Sequence, residues 1–269
     1  MRQCVFENLC FYISFDDCFR VNPSSRICYG FGSQHGVGVT LETMSQALKF
    51  RDQWKQGIKV LFTDAEEVGM MGMKAIWEND RQVFDNVGLM INIEARGPWG
   101  PALLFEACPG NEKVMELYDD AAKYPYTYSL TTVVYSFMPN FTDFTIVKDS
   151  IPGLNFSTIA DVNHYHTDLD NFSNVSAKSI QHYGAQILPI TKTYLTGEQY
   201  ADKNSLRADS DATNFTIPLL GLFNFSKTRY LIINIAIFIL FLLVFGLEGV
   251  RGRIKAARVF KVSASVFGL

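Results

Sequence analysis

The run YLIINIAIFILFLLVFGL, residues 230–247, holds 18 consecutive residues with no charge and no amphipathic period. As a helix it rises about 27 Å, close to the hydrocarbon thickness of a bilayer, so this segment is expected to cross a membrane. A buried core helix is the soluble alternative, but the run is apolar on every side and bracketed by basic residues. Lys227 and Arg229 precede it, whereas Arg251, Arg253, Lys255, Arg258 and Lys261 follow it. That bias puts the C-terminal tail in the cytoplasm and the preceding domain outside the cell or in a lumen. Asn-x-Ser/Thr triplets starting at Asn140, Asn155, Asn171, Asn174, Asn214 and Asn224 suit such a compartment, although triplets of this kind also arise by chance. The first 28 residues do not read as a secretory signal, because Glu7, Asp16 and Asp17 interrupt every apolar stretch.

With 269 residues and 48% apolar content, the chain can bury one sizeable core besides this segment. The net charge is -3, with no basic stripe before the linker, which argues against a nucleic-acid partner. Cys4, Cys10, Cys18 and Cys28 crowd the N-terminus at spacings that match no zinc ribbon, and Cys108 makes the count odd. Small buried or free thiols are the expectation.

Between residues 40 and 55 the apolar positions Leu41, Met44, Ala47 and Leu48 recur at helical spacing, and Gly57 then breaks the pattern ahead of the strand-like IKVLF, 58–62. Residues 70–78 read as a second helix, and VGLMINI, 87–93, as a strand apolar on both faces. Further on, 111–124 is expected to be helical, TVVYSF (132–137) extended, 143–148 a helical turn, GLNFSTI (153–159) a strand and 177–194 a long helix. This alternation predicts an α/β domain with a mainly parallel central sheet flanked by helices, plus one C-terminal transmembrane helix. Such sheets bind ligands beyond the carboxyl ends of their strands, where the polar clusters 64–67, 94–97 and 163–171 fall.

In LFTDAEEVGMMG, 61–72, Glu66 and Glu67 stand side by side where an apolar run ends. Neighbours on a turn point in different directions, so one carboxylate can bind a metal while the other holds a water and accepts its proton. A solvated pair is the ordinary alternative, and the glycines at 69 and 72, which allow a tight turn, favour the functional reading. Glu94 closes an apolar strand, where an unpaired carboxylate costs several kcal/mol. It needs a cation, either Arg96 in an ion pair or a metal. His166 lies in NHYHTDLDN, 163–171, with His164 beside it and Asp168 and Asp170 following, and imidazole is a common zinc ligand whose tautomer a carboxylate often sets.

Taken together, LFTDAEEVGMMG, INIEARG, TDFTIVKDSIPGLNF and YHTDLDN, in this order and spacing, resemble the zinc aminopeptidase family that includes bacterial leucyl aminopeptidases and is related to glutaminyl cyclases. The likeness is in particular to its membrane-bound branch, the vacuolar membrane protease and Felix-ina-like group, and covers about residues 32–196. It implies that Glu66 is the general base, that Glu67 and His166 bind one zinc, and that Glu94 belongs to a second. In the family, a water or hydroxide between the two metals attacks the peptide carbonyl. The implied organisation is an atypical N-terminal segment (1–31), a zinc-peptidase-like domain (32–197), a linker (198–229), the membrane helix (230–247) and a basic tail (248–269).

Two departures bear on the metals. The family's bridging aspartate comes from an Asp-Asp-Gly motif, but GSQHGVGV, 32–39, places Gln34 there with His35 beside it. In YISFDD, 12–17, Ser14 stands where a histidine ligand is expected and Asp16 takes the aspartate position. A catalytic zinc usually has three protein ligands, so at most one tightly bound zinc is expected. Altered motifs, odd cysteines and the missing export signal all fall before residue 36, and the membrane-bound branch carries further spans, so a chain incomplete at both ends is expected. Three functions follow. One is a membrane-anchored metallopeptidase of peptides, intact or impaired by lost ligands; a second is a non-catalytic, truncated module of the same fold; a third is a cyclase-like transferase.

Overall fold

The computed structural model describes residues 11–14, 26–31, 34–63 and 65–252. Asp16, Asp64 and the basic residues beyond 252 lie outside this set, as do the side chains of Ser14, Gln34 and His35. The chain separates into two units, residues 1–224 and 225–269.

The first unit is built on a six-stranded sheet of β1 (Phe11–Ser14), β2 (Arg26–Phe31), β3 (Gly57–Phe62), β4 (Val87–Ala95), β5 (Leu103–Ala107) and β6 (Gly153–Thr158), in the order β1-β3-β2-β4-β6-β5. The four inner strands run parallel, and the edges β1 and β5 are antiparallel. The predicted α/β architecture is therefore present. β4 and β6 are buried almost without interruption, as expected of strands covered on both faces. Ile58, Leu61, Leu89, Ile91, Leu154 and Phe156 form the centre of the core.

Helices α1 (Gln34–Leu48), α2 (Met71–Asn79), α3 (Glu112–Ala121) and α6 (Ala177–Thr196) correspond to the periodic segments. In α6 the Ser176 hydroxyl accepts from Ser179 N at 3.3 Å, and Ser179, Tyr183, Gln186, Ile187, Ile190 and Tyr194 give a buried stripe at helical spacing. The short helix α5 (Asp143–Val147) matches the expected turn.

Four segments differ from expectation. TVVYSF is not extended but lies within α4 (Ser129–Phe137). Its β-branched residues suggested a strand, yet the Thr131 and Thr132 hydroxyls both donate to the carbonyl of Phe105, at 3.1 and 3.2 Å, and tie a helix to the sheet edge. Strand β5 was not expected at all. Within the presumed linker, β7 (Thr213–Ile217) and β8 (Gly221–Phe225) form a two-stranded sheet, and Thr216 N donates to Thr127 O at 2.9 Å. Residues 26–31, read as part of an atypical segment, supply the sheet's central strand β2.

In the second unit, α7 (Lys227–Val250) is a helix of 24 residues, long and apolar enough to cross a membrane. The Ser226 hydroxyl accepts from Arg229 N at 3.3 Å at its start.

Candidate active site

Strands β3, β2, β4 and β6 are parallel neighbours, so their carboxyl ends share one edge. Glu94 stands on β4 at that edge, the loops carrying Glu66 and His166 leave from it, and the backbone of Gln34 and His35 opens α1 after β2.

After β3 the chain turns sharply. The carbonyl of Glu66 accepts from Gly69 N at 3.0 Å and Met70 N at 2.8 Å, and Met71 N reaches Ala65 O at 3.1 Å. Ala65 and Met70 both sit at φ 58, and Gly69 at φ 105. Left-handed backbone costs a non-glycine residue roughly 1 to 2 kcal/mol, so the turn stores strain where two glutamates must diverge. They do diverge. Glu67 Oε1 lies 2.8 Å from His166 Nε2 and accepts from the Tyr165 hydroxyl at 3.0 Å, with the Tyr165 ring stacked on His166. Glu66 remains half-buried, and its carboxyl is pushed up to about 7 by burial, then by the charges of Glu67 and Asp143, against Arg96 and His166.

Glu94, at the end of β4, is buried. Burial pushes its carboxyl up to about 8, against the hydrogen bond from Asn92 Nδ2 at 3.0 Å, and the charges of Glu66 and Asp143 add to the rise. Its own carbonyl accepts from the Tyr183 hydroxyl at 2.5 Å, which anchors the strand end to α6. No ion pair within 4 Å joins Arg96 to Glu94 among the described residues. The Arg96 guanidinium instead sits 5.7 Å from the Tyr135 ring centre and acts on Glu94 only through space. Gly97 then permits a close crossing, because a Cβ there would meet Ala160 O at 2.0 Å, and Thr158 Oγ1 donates to Gly97 O at 2.6 Å.

Asp143 is the site residue that the sequence reading passed over. It is fully buried at the start of α5, and burial pushes its carboxyl up to about 6 against a hydrogen bond from the Thr63 hydroxyl. Its Oδ1 has no hydrogen-bond partner among the described residues. The signal was present in TDF, where an aspartate follows a threonine at a helix start. His166, expected to lean on Asp168 or Asp170, pairs with Glu67 instead, and those two aspartates are exposed. A cavity of about 480 Å³ adjoins Arg96 and Ser157, with walls of Leu103, Phe105, Tyr135 and Ile159. Ser157 pairs in register with Glu94, so the cavity lies beside the acidic cluster.

Among the described residues no three His, Cys, Asp or Glu side chains form a ready metal cage. The donor chemistry nevertheless suits a divalent cation. Glu66, Glu94 and Asp143 repel one another, Asp143 Oδ1 is an orphan, and Glu67 with His166 offers a carboxylate and an imidazole side by side.

The chain is similar to several known proteins. Endoplasmic reticulum metallopeptidase 1 of Rattus norvegicus is 33% identical over 124 residues, covering 45% of this chain and 14% of the relative. A vacuolar membrane protease of Yarrowia lipolytica is 26% identical over 215 residues, covering 78% of this chain and 21% of the relative. The chain thus spans less than a quarter of the length of either. Glutaminyl cyclase of Porphyromonas gingivalis shares the fold, with TM-score 0.50 at 13% identity over 69% of this chain and 77% of that one. The description of peptidase family M28 matches residues 34–191, more than half of the 269 and inclusive of the turn at Glu66, the end of β4 and the loop of His166. The chain belongs to peptidase family M28.

Proposed function

We propose that the domain is a membrane-anchored zinc peptidase of the aminopeptidase type, in which Glu66 is the general base, Glu67 and His166 hold one zinc and Glu94 belongs to the position of a second. The observation that carries this reading is the divergence of the two neighbouring glutamates, one onto an imidazole and one into an acidic cluster. Bound zinc would supply a Lewis acid and a more acidic water. Glu66, whose carboxyl is pushed up by burial and by the charges of Glu67 and Asp143, would be the residue that accepts a proton and returns it to the leaving amine. The cavity beside Arg96 takes the side chain of the substrate's first residue. Its apolar walls favour leucyl or phenylalanyl substrates, and Arg96 disfavours lysyl ones.

Hydrolysis of aminoacyl-arylamides tests this reading. Leucyl and phenylalanyl compounds should be cleaved ahead of the lysyl one, and indifference to the side chain would sink the cavity's role. No cleavage of any of them would favour the non-catalytic module. Pyroglutamate formation from an N-terminal glutamine would favour the cyclase. For the metal, elemental analysis of purified chain should find at most one zinc. Two at full occupancy would overturn the argument from Gln34 and Ser14.

The orientation of the domain, towards a lumen or the outside, has its own test. Asn155 and Asn214 are buried in the folded domain, whereas Asn171 is exposed and Asn140, Asn174 and Asn224 are half-exposed. Chain made in cells with an endoplasmic reticulum should show an endoglycosidase-sensitive mass shift that disappears when Asn140, Asn171, Asn174 and Asn224 are all replaced by glutamine. A cytoplasmic domain would show none.

A further inference from the structure

Residues 124–142, YPYTYSLTTVVYSFMPNFT, carry no charged side chain, and within them α4 turns its apolar face outward. Its inner side is polar or amphipathic. The Thr131 and Thr132 hydroxyls bond to Phe105 O, and Tyr135 is buried against the Phe105 ring at 4.9 Å. On the outer side, Leu130 is 68% exposed, Val133 52%, Val134 50% and Phe137 84%. At 3.6 residues per turn these four fall within an arc of about 100°. Met138 and Phe141, also exposed, extend the patch beyond the helix. In a helix on a water-soluble surface the apolar arc faces inward; here it faces out.

Connectivity ties the start of this helix to the strands that lead into α7. Asn214 N donates to the Ser129 hydroxyl at 2.7 Å, and Tyr128 bridges to Phe215, so β7 holds the start of α4. Phe215 stacks on Phe223 of β8, and Ser226 alone separates β8 from the apolar helix α7. If α7 spans a bilayer, the end of β8 lies at the interface whatever angle the domain adopts. Tyr124, Tyr126 and Tyr128 precede α4, and tyrosine favours the headgroup level.

We propose that the outer face of α4 rests in the lipid interface, as an amphipathic in-plane helix does, so that the domain touches the bilayer through α4 as well as through its tether. The proposal rests on α7 being a span. Leu130, Val134 and Met138 also line the cavity beside Arg96, so this seating would open that cavity at the membrane surface and favour polypeptide ends presented there.

The test uses the full chain in nanodiscs, prepared with ordinary lipid or with lipid brominated on its acyl chains. Phe137→Trp adds a tryptophan at an exposed position, and its extra emission over the parent chain is the readout. Glu78→Trp, at an exposed position of α2, is the control. Brominated lipid should quench most of the extra emission of Phe137→Trp and little of that of Glu78→Trp. Equal, weak quenching of both overturns the proposal. So does a Phe137→Trp signal shielded from aqueous acrylamide yet untouched by bromine, since a second copy or another polypeptide would then cover the face. Failure of the chain to enter nanodiscs at all would refute the span itself, and the proposal with it.

Discussion

Replacing Glu66 by glutamine is expected to lower kcat on a leucyl arylamide by about 100- to 10,000-fold, the range associated with loss of a general base, while bound zinc per chain is unchanged. Glutamine keeps the size of the side chain but cannot accept a proton at neutral pH. It also removes one charge from a cluster in which Glu67 and Asp143 already push the carboxyl of Glu66 up. The variant should therefore fold at least as well as the parent, so lost activity cannot be ascribed to lost structure. Glu67→Gln should behave differently, since it weakens the contact with His166 and lowers zinc content together with activity. Activity in Glu66→Gln equal to that of the parent would remove Glu66 from the role of base.

The parts of this site that could be read in the sequence share a physical property. Glu66, Glu67 and Glu94 each end a run whose apolar character marks a buried strand, and an acid at such a place is conspicuous because its desolvation is costly. His166 stood out by its residue type. Asp143 did not stand out, because an aspartate opening a helix already has an ordinary explanation as a partner for the helix dipole. Only its complete burial and its orphan oxygen set it apart.

The fold divides in the same way. Strands β3, β4 and β6 are rich in apolar residues and buried almost throughout, and local pattern suffices to find them. Helix α4 reads as a strand because its apolar residues are not the ones that hold it. Its ties to the sheet are hydroxyls of Thr131 and Thr132, a tertiary effect with no periodic signature. Strand β5 is short and contains Glu106, a charge that looks like surface until its partner Lys148, 42 residues away, is known.

That pair supports the largest expected effect on stability. Glu106 is 3% exposed, and its Oε1 lies 2.6 Å from Lys148 Nζ while Oε2 accepts from Asn155 Nδ2 at 3.0 Å. Lys148→Met should destabilise the domain by about 3 to 5 kcal/mol, because it leaves a buried carboxylate without its cation, and equilibrium unfolding in urea would measure it. Adding Glu106→Gln should restore most of the loss, since the amide oxygen can still accept from Asn155 and no charge remains to be desolvated. A single variant that loses less than about 1 kcal/mol would mean that Glu106 finds water or another partner, and that the pair contributes no more than a surface bridge. The consequence reaches the site. Asn155 also donates to the Thr142 hydroxyl at 2.9 Å, and Thr142 immediately precedes Asp143 at the start of α5. The ion pair at the sheet edge is thus linked to the start of α5, so Lys148→Met should also loosen the buried aspartate there even at temperatures where the chain is still folded.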